Sequence, residues 1–162
     1  MTTAHHHSGW VIIMSFILAL ILSITPMPGW TASLRPEWVV LVLAYWCMAL
    51  PDRVGIATAW GVGLLLDVLK GALLGQHAMS LSVIAFLTLK LHQRVRVFPL
   101  WQQALIVLLL TALHQLIILW IKGISGQPSQ TWIYWLPSLS SMVLWPLLFV
   151  LLRHVRRYYR VS

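Results

Sequence analysis

Six apolar runs follow one another with almost nothing between them, at about 10–25, 34–50, 54–69, 79–91, 100–121 and 132–152. A membrane-spanning helix needs about 20 mainly apolar residues. Six spans would use about 120 of the 162 residues, so no connection is long enough to hold a folded soluble domain. Only 9% of the residues are charged, against about 25% in a soluble domain. The mean hydropathy is +0.86. Such a chain cannot hide its apolar surface from water, but it can hide it in lipid. The sequence predicts an all-α membrane protein: one integral domain over 1–162, built as a compact bundle of about six transmembrane helices.

The run from Trp10 to Thr25 lacks the basic start and small-residue cleavage site of a signal peptide, and reads as a retained anchor. Pro26, Pro28 and Gly29 close it. Pro36 sits in the first turn of the second run, where proline is tolerated. Only Pro51-Asp52-Arg53 separates the second run from the third, which predicts a tight antiparallel hairpin. Pro146 falls inside the sixth run and predicts a kink.

The net charge of +8 would suggest nucleic acid in a soluble protein. Here the basic residues sit at run ends, so no nucleic-acid partner is expected. Arg53, then Lys90, Arg94 and Arg96, then Arg153, Arg156, Arg157 and Arg160 fall on one side of a six-span bundle. The other side holds Arg35, Lys70 and Lys122. The positive-inside rule then places both termini in the cytoplasm. Trp10, Trp30, Trp38, Trp101, Trp120, Trp132 and Trp135 stand at run ends, the headgroup level that indole rings favour. Cys47 is the single cysteine and lies within a run, so no intrachain disulfide forms.

Chemistry has few places to reside. The acids are Glu37, Asp52 and Asp67. Glu37 opens a helix, where its charge suits the helix dipole. Asp52 sits in a turn. Asp67 lies at membrane depth, where a carboxylate marks a function or a pairing. Gly55, Ala59, Gly63, Asp67, Gly71 and Gly75 recur at every fourth position and form a small-residue face for close helix packing. Lys70 is the nearest basic residue in sequence to pair with Asp67. Asp67 is read as a stabilising hydrogen bond or ion pair, as a partner-binding or regulatory group, or as part of a translocation path.

The stretch from Lys70 to His77, with two glycines, reads as a re-entrant or interfacial turn whose backbone is buried in protein or lines a cavity. His114 and Gln115 lie mid-run and predict interhelical hydrogen bonds. With His77 they form a candidate intramembrane polar site. A proton-linked role would need a nearby carboxylate, which the sequence does not place. His5, His6 and His7 read as a solvated tail, and His92 and His154 as headgroup contacts. No phosphate-binding loop, zinc spacing, nucleophile elbow or dinucleotide fingerprint is present, so no catalytic residue, metal or cofactor is assigned.

Several stretches, in order, carry a resemblance. They are Arg35-Pro36-Glu37-Trp38, Ala49-Leu50-Pro51-Asp52-Arg53-Val54, Gly63-Leu64-Leu65-Leu66-Asp67 running into Gly71 and Leu74-Gly75, Trp101-Gln102-Gln103-Ala104-Leu105, and Val143-Leu144-Trp145-Pro146. From about Trp10 to Arg157 the chain closely resembles the MreD family of rod shape-determining membrane proteins, of the proteobacterial type.

The resemblance implies a non-enzymatic scaffold of the bacterial elongation machinery, needed for rod shape and lateral peptidoglycan synthesis. It implies MreC as direct partner, and MreB, RodZ, RodA and its penicillin-binding protein in a larger complex. The family also looks distantly similar to the six-helix substrate-binding subunits of energy-coupling-factor transporters. That keeps open a small-molecule-binding or transport subunit with a polar intramembrane pocket. A lipid-modifying enzyme would need clustered acids. The expected packing or partner-binding centre comprises Arg35, Pro36, Trp38, Gly55, Ala59, Gly63, Asp67, Gly71 and Gly75, serving MreC, a second copy, or the protein's own fold.

Overall fold

The computed structural model describes residues 3–25, 37–50, 54–71, 75–124, 126 and 135–158, with only the backbone for 3–8. Arg35, Pro36, the Pro51-Asp52-Arg53 turn, Trp30, Trp132 and the side chains of His5, His6 and His7 lie outside the described residues. Those described form six helices and no strand: α1 Thr3–Ile24, α2 Trp38–Ala49, α3 Ile56–Lys70, α4 Gln76–Arg96, α5 Leu100–Ile124 and α6 Leu136–Tyr158.

Each apolar run yields one helix, but the bounds differ from those its hydropathy suggests. Hydropathy marks where side chains prefer lipid, whereas a helix continues until its backbone is capped or broken. Thus α1 begins at Thr3, seven residues before Trp10, and α4 spans Gln76–Arg96 rather than 79–91. Helix α6 continues through Pro146.

The short helix α2 is the centre of the bundle. Every residue from Val39 to Met48 is buried. It packs against α1, α4, α5 and α6. A helix buried all round needs no amphipathic stripe, and α2 is apolar throughout. Its 12 residues rise about 18 Å, well short of the roughly 30 Å of a hydrocarbon core. On α1, Ser15 Oγ accepts the Trp46 indole N–H at 2.8 Å and donates to the Ile12 carbonyl at 2.7 Å.

Helices α3 and α4 form the most extensively packed pair. The cause is Gly63. A Cβ there would stand 2.3 Å from Ala78 Cα and 2.6 Å from Ala78 N. Only a hydrogen at this position lets the two backbones come so close. Helix α5 shows regular helical amphipathicity, with Gln103, Ala104, Val107, Leu110, Thr111, His114, Gln115 and Ile118 buried on one face.

The outer surface is strongly apolar. Ile13, Met14 and Ile17 of α1, Leu65 and Val68 of α3, Leu105 and Leu109 of α5, and Val143, Leu147 and Leu151 of α6 are all exposed. Faces this apolar suit contact with lipid rather than with water. Helices α5 and α6 are long and apolar enough to cross a bilayer, and Gly9–Ile24 and Trp38–Ala49 are shorter apolar helices.

Candidate functional site

Asp67 is completely buried near the end of α3. Its Oδ2 accepts the backbone N–H of Gly75 at 2.9 Å and of Ala78 at 3.4 Å. Its Oδ1 accepts the backbone N–H of His77 at 2.8 Å and the His77 ring Nδ1–H at 2.7 Å. Gly75 is the N-cap of α4, and no side chain of its own caps the helix. Asp67 therefore caps α4 from the preceding helix. The first turn of a helix leaves N–H groups without partners and carries partial positive charge. A carboxylate reaching across from α3 answers both. The sequence suggested Lys70 as the partner; the structure corrects this. Lys70 is exposed, while both Asp67 oxygens are occupied by the start of α4.

The glycine series divides into two uses. Ala59 and Gly63 are buried on the α4-facing side of α3, and a Cβ on half-buried Gly55 would touch Leu89 of α4 at 3.9 Å. Gly71 and Gly75 do not continue that face. They sit on either side of the turn, with φ of 65° and 97° and nothing within 4 Å of an added Cβ. Glycine is required there by left-handed backbone, not by close packing.

The polar groups extend inward from Asp67. The His77 and His114 rings lie 5.8 Å apart at 46°. The Nδ1 of His114 is 2.6 Å from Ser80 Oγ, and its Nε2 is 3.6 Å from Glu37 Oε2. Asp67 selects the tautomer of His77, which carries its proton on Nδ1. Ser80 Oγ bonds both the His114 ring at Nδ1 and the His114 carbonyl, to which it donates at 3.2 Å, and His114 Nε2 faces Glu37. Ser141 Oγ accepts the Glu37 backbone N–H at 2.9 Å. Gln115 Oε1 accepts the Ser138 hydroxyl. Asp67, His77, Ser80, His114, Gln115, Ser138 and Ser141 are all buried.

Five helices thus meet at one polar core: the N-terminal ends of α2, α4 and α6, the C-terminal end of α3, and the middle of α5. His77, His114 and Gln115, singled out in the sequence, are brought together with Asp67. Trp38 is half-buried beside Glu37 at the start of α2. Glu37, Ser80, Ser138 and Ser141 were not anticipated as members. Ser80 was legible in principle, being three residues after His77 on one helix face. Glu37 was not, because its partners lie on distant helices.

The row Asp67–His77–His114–Glu37 places two imidazoles between two carboxylates. Its bonds tie the ends of separate helices together. Among the described residues, no group of three or more His, Cys, Asp or Glu side chains is placed to hold a metal ion.

Comparison with known proteins agrees with the residues. The sequence profile described as "rod shape-determining protein MreD" matches residues 5–155. The Rod shape-determining protein MreD of Haemophilus influenzae (strain ATCC 51907 / DSM 11121 / KW20 / Rd) is 35% identical over 149 residues, covering 91% of this chain and 92% of that protein. No solved structure matches the chain, so the likeness to energy-coupling-factor subunits gains no support. With the profile spanning nearly the whole chain and the relative aligned over nine-tenths of both, the chain belongs to the MreD family of rod shape-determining proteins.

Proposed function

We propose that the protein is a non-enzymatic, multi-pass scaffold of the elongation machinery in the bacterial inner membrane, with both termini in the cytoplasm. It acts there with MreC, and with MreB, RodZ, RodA and its penicillin-binding protein in a larger complex. Family membership supports the role in rod shape. The observation that carries the scaffold reading is the contrast between inside and outside. The polar core is spent on internal bonds, and His77, His114 and Gln115 keep almost no accessible surface. The apolar faces of α1, α5 and α6 lie open. In lipid such faces bind other helices by packing and hydrogen bonding, without help from the hydrophobic effect.

In this reading the face containing Gly55, Ala59, Gly63 and Asp67 serves the protein's own fold, and a partner docks elsewhere. A photocrosslinking residue at exposed Ile17, Leu109 or Val143 is expected to capture MreC from at least one position in living cells. The same residue at buried Leu81 is expected to capture none. Absence of any MreC adduct, with the protein inserted normally and MreC present, would sink the assignment.

A further inference from the structure

A second site lies at the opposite end of the bundle from the polar core. The C-terminal ends of α2 and α4, the first turn of α5 and the last third of α6 enclose a cavity of ≈ 210 Å³. Arg96 comes from α4, and Arg153 and Arg156 come from α6. Tyr45, Met48 and Phe149 supply the rest of the wall used here. Of the three acids, Glu37 and Asp67 belong to the far end, and Asp52 lies outside the described residues.

We propose that this cavity binds the phosphate of an anionic phospholipid headgroup. The proposal rests on the reading of the chain as a membrane-spanning bundle. Guanidinium forks match phosphate oxygens two at a time, which a diffuse basic surface does not. Arg153 and Arg156 are three residues apart and share a helix face.

The walls are also fixed in advance. Gln103 Nε2 donates to the carbonyls of Val95 at 3.0 Å and Phe98 at 3.3 Å. Its Oε1 accepts the Trp145 indole N–H at 3.3 Å. These bonds pin the turn that carries Arg96 to α6. Phe149 is held between Tyr45, at 5.6 Å, and Trp145, at 5.8 Å.

The ligand class follows from size and polarity. Ordinary ligand pockets run to about 300–1,000 Å³, so this one takes a headgroup and not a whole lipid. A basic opening with an apolar wall, set in a bundle whose outer faces are apolar, suits an amphiphile with its acyl chains left outside. The cytoplasmic leaflet holds anionic lipids, and the positive-inside rule assigns this basic end to that side.

The test uses the full chain in nanodiscs with equal parts of phosphatidylglycerol and phosphatidylcholine. Retained lipids are read by native mass spectrometry after release into detergent. Wild type is expected to enrich phosphatidylglycerol by about tenfold or more, the ratio that charge-assisted bonds of this kind support. The combined Arg96→Gln, Arg153→Gln and Arg156→Gln variant is expected to fall to parity. Arg153→Lys, which keeps the charge and most of the packing, is expected to give intermediate enrichment. Lys90→Gln with Arg94→Gln, outside the cavity, is expected to keep the wild-type ratio.

Parity in wild type overturns the proposal, as does equal loss in the control pair. If inorganic phosphate alone is retained and abolishes the enrichment, the ligand is free phosphate and the lipid assignment fails. A protein that does not enter these discs overturns the membrane reading, and this proposal with it.

Discussion

At the scale of the residue, Asp67 has the most demanding position in the chain. It is fully buried, and its two oxygens take three backbone N–H groups and an imidazole. Removing an acceptor from buried donors costs about 1–3 kcal/mol for each group left unpaired. Asp67→Ala is therefore expected to destabilise the protein by at least about 3 kcal/mol, since several donors lose their acceptor at once. Asp67→Asn keeps one oxygen and turns an amide toward donors, so it should fall between the two. Thermal unfolding in detergent checks the order of wild type, Asn and Ala. An Ala variant that melts with wild type would show that the carboxylate does not hold the start of α4.

At the scale of the element, two glycines on α3 make opposite predictions. Gly63 faces the Ala78 backbone, and the atoms a new Cβ would meet at 2.3–2.8 Å belong to main chain that cannot swing aside. Gly63→Ala is expected to part α3 from α4, at a cost of about 1–3 kcal/mol or more. Gly61 is exposed, with nothing within 4 Å. Gly61→Ala is expected to gain up to about 1 kcal/mol through helix propensity alone. Melting temperatures of the two variants should move in opposite directions. Equal shifts would mean that the helices are not in backbone contact at Gly63. A second pair of glycines explains why α4 begins where it does. Gly71 and Gly75 turn the chain through left-handed backbone, and Asp67 closes the resulting helix end.

At the scale of the whole molecule, the protein has two chemically different ends joined by an apolar body. One end gathers Asp67, His77, His114 and Glu37. The other gathers Arg96, Arg153 and Arg156. In the proposed topology the second end faces the cytoplasm. A reporter fused after Ser162 is expected to be active if it works in the cytoplasm and silent if it works only in the periplasm. The reverse pattern would invert the proposed topology and move the basic cavity to the outer leaflet. The short α2 gives this architecture its centre: an apolar helix enclosed by its neighbours leaves the longer helices to form the apolar outer surface.

The sequence alone determined that the chain is helical and apolar, that its connections are short, and which family it resembles. These are properties of composition and order along the chain. The sequence also marked His114 and Gln115 of α5 as groups that would bond between helices. It could not show what they would meet. Lys70 was the nearest cation to Asp67 in sequence, yet the carboxylate binds the start of the next helix. Glu37 and Ser141, or His114 and Ser80, become neighbours only when separate helices dock. Gly55 and Gly75 share a four-residue spacing, yet one lies at a helix contact and the other in a left-handed turn. Periodicity describes a helix in isolation, whereas a buried charge is placed by whichever unsatisfied groups its neighbours bring. The tertiary structure therefore decided the polar core and the basic cavity, both of which exist only between helices.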